Sequence, residues 1–204
     1  MKPATVFVVD DEPSVRRSLA RLLKTAGYEV EVFASAREFL EHTPSDGVGC
    51  LVLDVRMPDL NGLELQQALA KSDRSMPIVF ITGHGDIPTS VRAMRAGATD
   101  FLPKPFEADE LLRAIERALA TAREEQEKRS ASADAERLLA TLTPRENEVL
   151  RHVITGRLNK QIAAELGTSE KTIKVHRGRV MRKMRVQSVA ELVRLCEKLG
   201  IRGP

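Results

Sequence analysis

The amino-terminal part of the chain alternates short apolar runs with amphipathic stretches. Thr5–Val9 is an apolar run ending at Asp10-Asp11; Pro13 then opens a segment with Val15, Leu19, Leu22 and Leu23 on one helical face, closed by Gly27. Tyr28–Phe33 alternates as a strand does, and Ser35 caps a short helix to about His42. Cys50–Leu53 is a fully apolar strand ending at Asp54, and Gly62 starts a helix with Leu63, Leu65 and Leu69 as its apolar positions. Pro77–Ile81 reads as another buried strand, ending at Thr82. Ile87–Ala96 predicts a helix closed by Gly97, Thr99–Leu102 a fifth strand, and Glu107 onward a fifth helix. Near-continuous apolar strands alternating with helices predict an α/β doubly wound fold, a five-stranded parallel sheet covered on both faces.

The pattern then changes. Glu124–Arg129 is almost wholly charged and Ser130–Ala135 is small and polar, so 121–140 is expected to be a helical linker between a domain at 1–120 and another at 141–204. Thr143-Pro144-Arg145-Glu146 has the form of a capping box with proline in the first turn. From there the periodicity is all helical, over roughly Pro144–Thr155, Lys160–Leu166, Glu170–Met184 and Val189–Leu199. The second domain is therefore a separate all-α unit. Within it, Gly167 makes a turn, Ser169 caps the next helix, small Ala163 lets two helices cross closely, and Ile162, Leu166, Ile173 and Val180 supply a core. That is helix-turn-helix spacing.

Charge separates the two halves. Residues 141–204 hold 14 Lys and Arg against 6 Asp and Glu, whereas residues 1–140 hold 18 against 23. A basic rear half suits a polyanion such as double-stranded DNA. With no Trp and one Tyr, such binding cannot rest on aromatic stacking. Cys50 and Cys196 each lie in an apolar stretch and read as buried, reduced thiols. No run of about 18 apolar residues occurs, so no membrane span is expected. The strand pattern begins at once, leaving no room for a signal peptide, and the expected location is cytoplasmic.

In an open parallel sheet the functional crevice lies at the carboxyl ends of the strands. Those ends here carry Asp10 and Asp11, then Asp54, then Thr82, then Lys104. Three converging carboxylates would repel unless a divalent cation joined them, and oxygen ligation of this kind suits Mg²⁺. Lys104 adds a compact positive charge for a phosphate, and an aspartate can accept a phosphoryl group. Asp10-Asp11-Glu12, Asp54 through Gly62, Thr82-Gly83-His84-Gly85 and Lys104-Pro105-Phe106 together resemble the signatures of CheY-like receiver domains, which share the flavodoxin-like sheet. The resemblance implies phosphorylation of Asp54 by a sensor histidine kinase. It implies Mg²⁺ held by Asp11, Asp54 and the Arg56 carbonyl with Asp10 nearby, Thr82 and Lys104 on the phosphoryl oxygens, and a cis bond before Pro105. It further implies a switch through Thr82 and Phe101, although Phe101 reads equally well as an ordinary core residue. His84 and Arg56 sit beside the phosphate site and bear on its lifetime.

The basic helix carries Lys171, Lys174, Arg177, Arg179, Arg182 and Lys183, a density that repels itself without an anion nearby. The stretch Leu142–Gly200, through Thr143-Pro144-Arg145-Glu146 and Thr172-Ile173-Lys174-Val175-His176-Arg177, resembles LuxR-type output domains, especially those of FixJ-type two-component response regulators. That resemblance implies DNA contacts from Lys171, Thr172, Lys174, Val175, His176 and Arg177, with His176 also readable as a packed residue. Gly178, mid-helix, either admits the DNA backbone or is simply tolerated. The resemblance also implies a phosphorylation-induced homodimer through a receiver face at Ile87, Val91 and Arg95, a second dimer contact through Val189, Leu192, Val193 and Cys196, and RNA polymerase as a further partner. The resulting expectation is a phosphoprotein that regulates transcription and is not an enzyme. Two other readings stay open. One is an aspartyl-phosphate phosphatase or phosphotransferase of the haloacid-dehalogenase type, against which stands Arg56 where a second aspartate is wanted. The other is a DNA-binding protein whose receiver is only a scaffold.

Overall fold

The computed structural model describes residues 4–42, 47–72, 76–83 and 87–204. They form two compact units, Met1–Gln126 and Glu127–Pro204. The first unit runs β1 (Thr5–Val9), α1 (Pro13–Thr25), β2 (Glu29–Phe33), α2 (Ala36–Glu41), β3 (Gly49–Asp54), α3 (Gly62–Ala70), β4 (Ile78–Thr82), α4 (Ile87–Arg95), β5 (Asp100–Pro103) and the start of α5 (Ala108–Ala140). The strands pair in parallel in the order β2-β1-β3-β4-β5. Successive side chains of a strand face opposite sides. Phe7, Leu51, Leu53 and Phe80 therefore pack with Phe39, Leu65, Leu69 and Ala93 on one face. Val6, Val8, Val52, Val79 and Ile81 pack with Leu19, Leu23, Leu111, Ile115 and Leu119 on the other. Burial on both faces is why these strands read as apolar runs rather than alternations.

Local signals set the helix ends. Pro13 stands in the first turn of α1, and Gly27 just beyond it has φ +89°. Asn61 and Glu64 close a capping box on α3, with Glu64 N–H donating to Asn61 Oδ1 at 3.0 Å and Asn61 N–H to Glu64 Oε2 at 2.9 Å. The chain leaves β1 toward β2 on one side and returns to β3 on the other, so the crevice at the carboxyl ends of β1 and β3 is a topological switch point.

The second unit comprises the last turns of α5, then α6 (Pro144–Val153), α7 (Asn159–Glu165), α8 (Glu170–Lys183) and α9 (Val189–Lys198). The whole 121–140 stretch is helical within α5, and the division between the units falls inside that helix, after Gln126. Val149, Leu150, Val153, Ile162, Ile173, Val180, Leu192 and Cys196 form the core, with Leu138, Leu139, Leu142 and Leu166 against it. Leu138 and Leu139 belong to α5, so this core recruits apolar positions from the stretch read as linker. Helix α6 stops two residues before the expected Thr155, and Gly156 follows at φ +79°. Gly167 at φ +62° turns the chain between α7 and α8. Both cysteines are buried free thiols, and burial pushes Cys50 up to about 12. No described helix is long and apolar enough to cross a membrane.

Candidate functional site

The carboxyl end of β1 delivers Asp10 and that of β3 delivers Asp54, both almost wholly buried. Lys104, just past β5, reaches between them: its Nζ lies 2.7 Å from Asp10 Oδ2 and 2.8 Å from Asp54 Oδ1. Backbone groups fix the remaining carboxylate oxygens. Glu12 N–H donates to Asp10 Oδ1 at 2.8 Å, and Arg56 N–H to Asp54 Oδ2 at 2.6 Å. Lys104 N–H donates to the Thr82 carbonyl at 2.7 Å, which ties this end of β5 to β4, and the Lys104–Pro105 bond is cis. Thr82 is 1% exposed. Burial pushes the Asp54 carboxyl above its ordinary value, outweighing the Lys104 ammonium and the Arg56 amide that act the other way. Burial works against the Lys104 charge too, but its hydrogen bonds to Asp10 and Asp54 outweigh burial and hold it raised.

Asp11, the neighbour of buried Asp10, differs from it in exposure. It is exposed, and no group of three His, Cys, Asp or Glu side chains arranged to hold a metal occurs among the described residues. The donor chemistry nonetheless suits a hard dication. Two buried carboxylates share one ammonium, which leaves the trio with negative charge when both are ionised, and every donor is oxygen. Phe101 is half-buried, 6.2 Å from Phe80 between ring centroids. His84 lies outside the described residues.

Helix α4 buries Thr89 and Ala93 and exposes Ile87 (79%), Val91 (40%) and Met94 (46%), with Arg95 also exposed. Spacings of three and four bring these residues onto one helical face. Ile87, Val91 and Met94 thus leave an apolar stripe on the exposed side of α4. Met94 completes the stripe that Ile87 and Val91 begin.

In the second unit, Ser169 caps α8, its hydroxyl accepting from Thr172 N–H at 3.1 Å. Lys171, Lys174, Val175, Gly178, Arg179 and Arg182 are exposed and share one face of the helix, while Thr172, His176 and Arg177 are half-buried. A Cβ on Gly178 would meet nothing within 4 Å, so packing within the chain does not require glycine there. His176 Nδ1 is buried with no hydrogen-bond partner among the described residues.

Two cations of this helix are engaged inside the unit. Arg177 donates to Asn159 Oδ1 at 3.0 Å. Lys183 donates to Glu146 Oε2 at 2.6 Å and to the Thr141 carbonyl at 2.8 Å. Glu146 is 2% exposed, and Lys183 with the Thr143 N–H holds its carboxyl down at about 2. Arg145 donates to the Leu166 carbonyl at 2.6 Å, tying α6 to the turn after α7. The capping box was visible in the sequence. Its partner Lys183, 37 residues on, was not, and part of the basic run therefore serves to anchor α8.

Comparison with known proteins places these features together. The family model for response regulator receiver domains matches residues 6–116, and the one for bacterial regulatory proteins of the luxR family matches residues 140–196. Nodulation protein W of Bradyrhizobium diazoefficiens is 52% identical over 198 residues, covering 97% of this chain and 87% of its own. The transcriptional regulatory protein FixJ of Rhizobium meliloti is 44% identical over the full length of both chains. Among solved structures, the response regulator StyR superposes with a TM-score of 0.85 at 54% identity, covering 96% of this chain and 99% of that one.

Proposed function

The chain belongs to the response regulators that join a receiver domain to a LuxR-type DNA-binding domain, and from that premise we propose that phosphorylation of Asp54 by a sensor histidine kinase switches it between monomer and DNA-bound dimer. Regulators of this family control transcription and are not enzymes. The observation that carries the proposal is the placement of Asp54 and Asp10 on one ammonium at the sheet's switch point.

An oxygen of the Asp54 carboxylate attacks phosphorus. A P–O bond forms as the P–N bond to the kinase's phosphohistidine breaks, and the electron pair returns to that imidazole. Arg56 N–H orients the Asp54 carboxylate, and Lys104 moves from balancing two carboxylates to gripping the phosphoryl oxygens, with the Thr82 hydroxyl beside it. Asp11, Asp54 and the Arg56 carbonyl, with Asp10 adjacent, would hold Mg²⁺, which supplies neutralisation of the phosphoryl charge. The modification adds roughly −1.5 to −2 charge. Thr82 and Phe101 repack around it, and α4 pairs with a second copy through Ile87, Val91 and Arg95. In the output unit, Lys171, Thr172, Lys174, Val175, His176 and Arg177 face the DNA, and two-fold pairing calls for half-sites about one helical turn apart. The protein then acts in the cytoplasm, where the promoter and RNA polymerase are.

The test is DNA binding by the purified chain with and without Mg²⁺ and a small acyl phosphate, for wild type and Asp54→Ala. Tighter binding and dimerisation only in the donor-treated wild type are expected. Equal binding by both proteins under all conditions would return the chain to the scaffold reading, with its DNA-binding half intact.

A further inference from the structure

We infer that Gln66 is a positioning residue that straps the dimerisation helix α4 to α3 in the unphosphorylated chain, and so sets how readily the receiver pairs. The inference rests on the dimer face proposed above. Gln66 is a polar residue at 3% exposure on α3, where an apolar residue would suit the core. Its Nε2 donates to two carbonyls, those of Ala93 and Ala96, each at 3.2 Å. Only the amide NH₂ can face two acceptors, so the orientation of the group is fixed, and Oε1 is left buried without a hydrogen-bond partner among the described residues.

The two acceptors sit where α4 ends. Gly97 N–H returns to the Met94 carbonyl and Ala98 N–H to the Ala93 carbonyl, with Gly97 at φ +91°, which closes the helix in a Schellman-type turn. That turn leaves the Ala96 carbonyl an orphan of the helix end, and Gln66 satisfies it. The other end of the link is equally tied. Helix α3 starts at Gly62, whose N–H donates to the Val55 carbonyl at 3.0 Å and whose Cα lies against the Asp54 carbonyl. A short run of backbone and one side chain therefore joins the phosphate acceptor to the helix that exposes Ile87, Val91 and Met94. Displacing α4 breaks both Gln66 bonds inside the fold, so the strap favours the arrangement in which they form.

Removing the donor while keeping the volume separates strap from packing. For full-length Gln66→Leu and Gln66→Met, sedimentation should give a dimer dissociation constant at least about 5-fold lower than wild type without phosphodonor, with values converging once Mg²⁺ and acyl phosphate are saturating. Amide exchange at Ala96, Gly97 and Ala98 should quicken in both variants. Wild-type constants in both variants overturn the strap. So does an equal shift with and without donor, or an effect in Leu absent from Met, since each marks packing alone. If the wild type fails to pair with or without donor, the dimer-face reading falls, and the strap then stands or falls on the exchange at those three amides.

Discussion

At Gly62 the backbone of α3 passes so close to β3 that a Cβ would overlap the Asp54 carbonyl and press on Val55 Cα and Phe80 Cε1, both at 3.1 Å. The Asp54 and Val55 atoms belong to the backbone, which cannot yield as a side-chain tip can. Gly62→Ala should therefore destabilise the receiver by about 1–3 kcal/mol in denaturant unfolding and slow phosphorylation by acyl phosphate, because Asp54 moves with its carbonyl. Glu146 gives a residue-scale prediction in the other unit. Its carboxyl lies at about 2 when folded against an ordinary 4.5. A depressed carboxylate stabilises the fold above its unfolded value, and that contribution drains away as pH falls through the window from about 4.5 to about 2. Glu146→Gln should lower stability at neutral pH and flatten the loss of stability across that window, read as urea midpoints against pH. Lys183→Met should flatten it too, since Lys183 is the first cause of the depression.

The strands and helices were legible because their signals are local. Apolar runs that stop at Asp10, Asp54 and Thr82 mark strand ends, and Ser35, Asn61, Thr143, Ser169 and Ser188 each accept from a backbone N–H at a helix start. The acidic pocket was legible as a set of strand ends, but not as a geometry. Lys104 meets Asp10 across 94 residues, Lys183 meets Glu146 across 37, and Gln66 meets the Ala93 carbonyl across 27. Period and propensity describe neighbours in sequence and carry no such pairing. For α8 the difference matters, because its cations look alike in sequence and separate in the fold. Lys174 is exposed, so Lys174→Ala should weaken DNA binding evenly across sequences and lower the salt slope by about 1 if it meets a phosphate. Val175, apolar and 48% exposed on the same face, should behave differently: Val175→Ala should alter sequence preference where a thymine methyl is read, with the salt slope unchanged. Lys183→Ala should change stability and leave the salt slope alone. Binding isotherms at several salt concentrations distinguish all three.

Each unit of the whole molecule has its own core, and the two carry opposite charge excess. The output core draws on Leu138 and Leu139 of α5, so a fragment cut at residue 141 would lose part of it, whereas Glu127–Pro204 keeps it. That fragment should fold on its own and bind DNA through the face of α8. Its affinity should not respond to Mg²⁺ and acyl phosphate, because it lacks Asp54. It should also fall short of the phosphorylated full chain by about 10²-fold or more on a two-half-site operator. A receiver dimer makes the second half-site an intramolecular encounter, and a fragment without a receiver cannot. On a single half-site the two proteins should bind alike, since pairing then brings no second contact. Titrating both proteins onto one- and two-half-site duplexes separates the ideas. A full chain that gains on both duplexes when phosphorylated would mean that the receiver unmasks α8, whereas a gain confined to the two-half-site duplex assigns the switch to dimerisation.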